Sequence, residues 1–194
     1  LYDQSSREAV EEDDIILSLA SNYRALKNVT LYAKFDTSSS LLKIVEFCHD
    51  LEGFVFDDMS GGLMLEKSDI LAVSSLPRLK SLKMNCDMTD EAFSALARCR
   101  GLKHLHLPSP ADSSVLKAIG RKLANLDLWR PSKEVIDVIV EHCPNLQYLE
   151  LDIGATDEER ELLVGSFKSG LKNLAKFELD GENIRLGTDW EGYE

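Results

Sequence analysis

The chain has 194 residues, 44% of them hydrophobic, and a formal net charge of −12. That is the composition of a folded globular protein, and no run reaches the roughly 18 apolar residues of a membrane span. The acids gather at the two ends: residues 1–14 and residues 178–194 each carry −5, which leaves −2 for everything between. Phosphate binding needs clustered Lys and Arg, so nucleic acid and anionic membrane are not expected as the main partner.

In chain order, the sequence opens on Leu1 rather than Met, and residues 1–14 are polar and acidic, unlike a secretion signal. It is therefore expected to be a fragment or a processed product. Residues 1–22 are expected to form an N-terminal helical cap, with Val10, Ile15, Ile16 and Leu19 on its apolar face. Beyond them one phrase recurs: an apolar residue, two variable, an apolar, one variable, an apolar. It reads Leu26-Val29-Leu31, Leu51-Phe54-Phe56, Leu79-Leu82-Met84 and Leu102-Leu105-Leu107. It continues as Leu123-Leu126-Leu128, Leu146-Leu149-Leu151 and Leu174-Phe177-Leu179. Alternation of this kind is the period of a half-buried strand. Seven parallel strands in one sheet are predicted, centred near residues 29, 54, 82, 105, 126, 149 and 177.

The segments between phrases carry helical periodicity. Helices are expected near residues 38–48 and 67–74. Thr89-Asp90 opens a stretch with Phe93, Leu96 and Ala97 on one face, and Ser113 precedes Val115, Leu116 and Ile119. Pro131-Ser132 opens Val135, Ile136, Ile139 and Val140, and Thr156-Asp157 opens Leu162, Leu163 and Phe167. Ser, Thr and Asp ahead of such runs are N-cap signals. The run from Asp57 to Gly62 lacks the lysine of a phosphate-binding loop and is read as a turn. Residues 181–194, with Ile184, Leu186 and Trp190, are expected to close the other end as an acidic cover or tail.

Successive phrases start 25, 28, 23, 21, 23 and 28 residues apart. A recurring period of this size marks a leucine-rich repeat solenoid. The expected fold class is α/β: about seven repeats over residues 23–180, a curved parallel sheet inside and helices outside. Neighbouring repeats bury one another's apolar faces, so length adds repeats rather than a second core.

Cys48, Cys99 and Cys143 each stand three residues before the first Leu of a phrase, and Tyr23, Leu76, Gly120 and Leu171 fill the same slot elsewhere. No two of the slot cysteines belong to adjacent repeats, so they are expected to be buried and unpaired. Free cysteines point to a reducing, intracellular compartment, cytoplasmic or nuclear. The Asn28-Val29-Thr30 sequon falls on a predicted strand and is read as a chance match.

Cys99-Arg100-Gly101-Leu102 and Cys143-Pro144-Asn145-Leu146 resemble the cysteine-containing subtype of leucine-rich repeat, with Cys48-His49-Asp50-Leu51 a weaker copy. Met88-Thr89-Asp90 and Ala155-Thr156-Asp157 match the subtype's helix start. The pattern is similar to the repeats of F-box leucine-rich-repeat proteins. The resemblance implies a substrate-recognition domain of a Skp–cullin ubiquitin ligase, with no catalysis of its own. The alternative is a repeat regulator or scaffold unrelated to ubiquitin, of the GTPase-activator or inhibitor type. Relatives of that type usually have repeats near 28 residues, and the central spacings here are shorter. An extracellular receptor would carry disulfide-bonded caps, and no terminal cysteine cluster is present.

Alternation also assigns the outward face of the sheet. The middle outward row reads Thr30, Val55, Lys83, His106, Asp127, Glu150 and Glu178. The flanking rows contain His104, Tyr148, Trp129, Asp152 and Asp180. His104, His106, Asp127, Trp129, Tyr148, Glu150, Asp152, Glu178 and Asp180 are the predicted partner-binding residues on the concave face. Aromatics exposed among carboxylates suit a protein partner with a basic segment. His104 and His106 share a strand face with Asp127 on the next strand. Such exposed pairs serve more often as polar contact surface than as metal ligands, so no metal, cofactor or catalytic residue is expected.

Overall fold

The computed structural model describes residues 22, 25–33, 38–59, 61–107 and 113–184. The expected cap residues Val10, Ile15, Ile16 and Leu19, the slot residue Tyr23, and Leu186 and Trp190 of the tail lie outside them. Within them the chain is an α/β protein built on a mostly parallel, open eight-stranded sheet with six α-helices. The elements are β1 (Asn28–Ala33), α1 (Ser39–Phe47), β2 (Gly53–Asp58), β3 (Met64–Leu65), α2 (Lys67–Ser74), β4 (Ser81–Asn85) and β5 (Asp87–Met88). They continue with α3 (Asp90–Ala95), β6 (His104–Leu107), α4 (Ser113–Ile119), β7 (Asn125–Trp129) and α5 (Lys133–His142). The last are β8 (Tyr148–Asp152), α6 (Asp157–Gly170), β9 (Lys176–Leu179) and β10 (Glu182–Ile184).

The sheet order is β1-β2-β4-β6-β7-β8-β9-β10, so neighbours in space follow the order of the chain. The central apolar residue of every phrase lies in one register: Val29, Phe54, Leu82, Leu105, Leu126, Leu149 and Phe177. Each strand therefore presents its apolar parity to the same side, where helix residues such as Ile70, Leu116 and Ile139 complete one buried core. Phe54, Leu126 and Leu149 are fully buried. Phe177 meets Phe167 of α6 edge to face, ring centres 5.1 Å apart, a favoured aromatic geometry.

Two backbone devices repeat along the chain. The carbonyl just ahead of a strand accepts two N–H bonds from the next unit: Lys27 from Glu52 and Gly53, Glu52 from Lys80 and Ser81, Lys80 from Lys103 and His104. Lys103, Ala124 and Gln147 do the same onward. These bonds satisfy main-chain donors at the strand entries, where the ladder has not yet begun. Among the described residues, the slot three residues before a phrase follows a helix. Its carbonyl accepts from the first Leu N–H, as in Cys48 to Leu51, Cys99 to Leu102, Cys143 to Leu146 and Leu171 to Leu174. All four cysteines are buried and free. Burial pushes the Cys99 and Cys143 thiols up to about 12.

The helix starts follow their caps. Thr89 accepts from Ala92 N, Ser132 from Val135 N and Thr156 from Glu159 N, and Glu159 returns a bond from the Thr156 N–H at 2.9 Å.

The structure differs from the sequence reading in three places. First, β10 is an eighth strand, antiparallel to β9, and β3 pairs with β5 in a separate two-stranded sheet. Second, Leu162 was expected on the apolar face of its helix but is 75% exposed. Phe167 is the buried anchor of α6, Leu163 lies one turn before it on the same side, and Leu162 is rotated away. Third, Asp180 leaves the outward row, as described below. Among the described residues no helix is long and apolar enough to cross a membrane.

Candidate functional site

The sheet face turned away from the helices carries the residues of opposite parity. Over β1, β2 and β4 the rows are Asn28, Gly53, Ser81; Thr30, Val55, Lys83; and Tyr32, Asp57, Asn85. Over β6 to β9 they are His104, Asn125, Tyr148, Lys176; His106, Asp127, Glu150, Glu178; and Trp129 beside Asp152. The structure thus gathers eight of the nine predicted partner-binding residues on four adjacent strands.

Stacking Asp127, Glu150 and Glu178 in register sets like charges on neighbouring strands, which is unfavourable unless answered locally. His106, Tyr148 and Lys176 answer it. His106 Nδ1 contacts Asp127 Oδ2 directly across β6 and β7. Tyr148 Oη donates to Glu150 Oε2 at 2.5 Å and lies 3.1 Å from Glu178 Oε2. Lys176 Nζ pairs with Glu178 Oε1 and sits 5.0 Å over the Tyr148 ring. Lys176 accordingly holds the Glu178 carboxyl below its ordinary value, with Tyr148 adding to the effect. Partial burial, then the two carboxylates, push the Tyr148 phenol up, so it remains a donor.

Glu150 and Asp152 differ from their neighbours. Neither makes an ion pair among the described residues. Trp129, whose Cα pairs with Asp152, is 45% exposed, and the Arg130 guanidinium lies 4.9 Å from the centre of its ring. His104 is half-buried at the head of the same face.

Asp180 has a different task. β9 ends at Leu179, and Asp180 takes φ 52° with Gly181 at φ 78°, a left-handed turn that swings the carboxylate out of the row. There it accepts from Ile153 N at 2.7 Å, Gly154 N at 2.8 Å and Ala155 N at 3.1 Å, and pairs with Arg160 at 3.0 Å. Arg160 also bonds Glu182 of β10. Burial pushes the Asp180 carboxyl up, but the three N–H bonds and Arg160 outweigh it and hold it below its ordinary value. Asp180 fastens the loop after β8 to the start of β10.

Sequence reasoning passed over Lys176 and Arg130 as site residues, although Lys176 stood in an outward row. It also missed Asp58, which lies on the inward parity of β2, 5% exposed, and accepts from Gly62 N and Leu63 N. A carboxylate at an inward position just ahead of a Gly-Gly turn was the available signal.

Among the described residues no group of three or more His, Cys, Asp or Glu side chains is placed to hold a metal ion. The cavity of about 340 Å³ lined by Lys67, Asp90, Glu91 and Arg98 is an open depression at the start of α3, on the helix side. The face combines exposed Trp129 and half-buried Tyr148 with carboxylates in register on an open surface. Protein-family models yield no match to this sequence, and neither does a search of curated proteins.

Proposed function

We propose that residues 23–180 are a leucine-rich-repeat solenoid of about seven repeats, and that the outward face of β6 to β9 binds a protein partner. The carrying observation is the common register, which sets Trp129 and Tyr148 beside Asp127, Glu150, Asp152 and Glu178 on an open face. The recurring phrase, the chain-ordered parallel strands and the shared helix-exit slot support the repeat reading. The cysteine-slot resemblance then makes the chain the substrate-recognition domain of an F-box-like ubiquitin ligase subunit. On this reading it is not itself an enzyme, and its free cysteines fit an intracellular setting.

Two experiments test this. The coding sequence upstream of Leu1 is read first: an F-box there supports the ligase assignment, and a different domain leaves a repeat scaffold or regulator in its place. Partner capture is then compared between the wild-type chain and Trp129→Ala, with Leu162→Ala on the helix side as control. A partner lost with the first variant and kept with the second supports recognition through the sheet face. Equal capture by both moves the contact elsewhere.

A further inference from the structure

We propose that, within this recognition face, β8 carries a seat for an arginine side chain of the partner, formed by the Glu150 and Asp152 carboxylates with the Trp129 indole as its stacking wall. The inference rests on the protein-recognition reading above and names the chemistry of one contact.

The face already contains the arrangement once, filled by the chain's own cation. Lys176 Nζ pairs with the Glu178 carboxylate and lies over the Tyr148 ring, so a cation sits between an aromatic and an acid of neighbouring strands. One strand further back the same parts recur: Trp129 on β7 has Asp152 as its Cα partner on β8, and Glu150 stands two residues before it on the same face. Here no cation of the described residues pairs with the acids. Asp127 has His106 and Glu178 has Lys176, whereas among the described residues Glu150 receives the Tyr148 hydroxyl and no cation. Alternate residues of a strand lie ~7 Å apart, a gap that one planar group with donors on several sides can bridge. Arginine fits better than lysine. Its guanidinium forks to two carboxylates and stacks flat on an indole, while an ammonium offers a single compact charge. Trp129 accepts such a group already, since Arg130 lies over its ring and 45% of the residue is still exposed.

The test is a titration of the ¹⁵N-labelled full chain, followed by NMR, with Nα-acetyl-arginine amide, Nα-acetyl-lysine amide and Nα-acetyl-citrulline amide. Citrulline keeps the shape of arginine and loses its charge. The arginine probe is expected to shift the Trp129 indole N–H and the β7 and β8 amides, with lysine weaker and citrulline inactive. The double variant Glu150→Gln/Asp152→Asn, with amide dispersion elsewhere unchanged, should weaken the arginine response at least ~5-fold, the scale of two exposed ion pairs. Glu158→Gln, an acid on α6, should leave it unchanged. Equal shifts from citrulline, or an undiminished response in the double variant, overturn the seat. If the seat fails while Trp129→Ala still abolishes partner capture, recognition by this face stands without it. If Trp129→Ala leaves capture intact, the recognition reading itself falls.

Discussion

The outward face over β1, β2 and β4 and the outward face over β7, β8 and β9 share one frame and differ in chemistry. Beneath both, the inward rows form the core: Phe54, Phe56 and Met84 on one side and Leu126, Leu149 and Leu179 on the other are fully buried, and only at the β1 edge are the inward Val29 and Leu31 half-buried. Above, the first half carries Asn28, Gly53, Ser81, Thr30 and Val55, with one cation, Lys83, and one acid, Asp57, which bonds Asn85 at 2.9 Å. The second half carries four acids against Lys176, together with Trp129 and Tyr148. The inward parity carries the shared core, and the outward parity sets the chemistry that distinguishes the halves.

If the two halves share a frame, deleting inward bulk should hurt both alike. Leu126→Ala and Leu82→Ala should each cost about 2–5 kcal/mol in denaturant unfolding, because each leaves a cavity in the same continuous core. A large loss in one half only would mean two separate cores.

Packing between neighbouring units is close where Gly120 faces the helix exit at Cys143. A Cβ on Gly120 would lie 2.6 Å from Cys143 Sγ and 2.8 Å from the His142 carbonyl. Gly120→Ala should cost about 1–3 kcal/mol through overpacking, while Gly165→Ala, where a Cβ meets nothing within 4 Å, should not destabilise. Equal melting curves for the two variants would show that the slot has room to relax.

The Asp180 staple sharpens the comparison at the C-terminal end. Asp180→Asn should cost about 1–2 kcal/mol near neutral pH through weakened charge-assisted bonds. The folded carboxyl lies below its ordinary value, so its contribution is complete above the unfolded value of ~4 and is lost as pH falls through the folded one. The gap between wild type and variant should therefore close in acid. A gap that persists unchanged well below that range would exclude the carboxylate charge as its source.

The elements legible in the sequence were those fixed by periodicity. The seven strand centres and the positions of Thr89, Ser132 and Thr156 follow from apolar spacing and N-cap chemistry, both local in sequence. What escaped depends on backbone reversal or on contacts across strands. Alternation assumes that the strand continues, so it counted Asp180 as outward, and the left-handed pair Asp180-Gly181 broke the count. β10 and the β3–β5 pair are too short for any period to register. Helical spacing put Leu162 and Leu163 together, but only a packed neighbour decides which of two adjacent residues is buried. The cations over Trp129 and Tyr148 come from rotamers that no pattern encodes.

Tyr32 and Trp129 form a matched pair across the two halves. Both are exposed aromatics in the same outward row, Tyr32 at 62% over β1 and Trp129 at 45% over β7. Truncating either should change stability by less than ~0.5 kcal/mol. The decisive measurement is the affinity of the captured partner for wild type, Tyr32→Ala and Trp129→Ala, each verified as folded. Recognition through the β7–β9 half predicts that Trp129→Ala weakens Kd by at least ~30-fold, about 2 kcal/mol, while Tyr32→Ala leaves it unchanged. Wild-type affinity in Trp129→Ala, with the loss appearing in Tyr32→Ala instead, would contradict it.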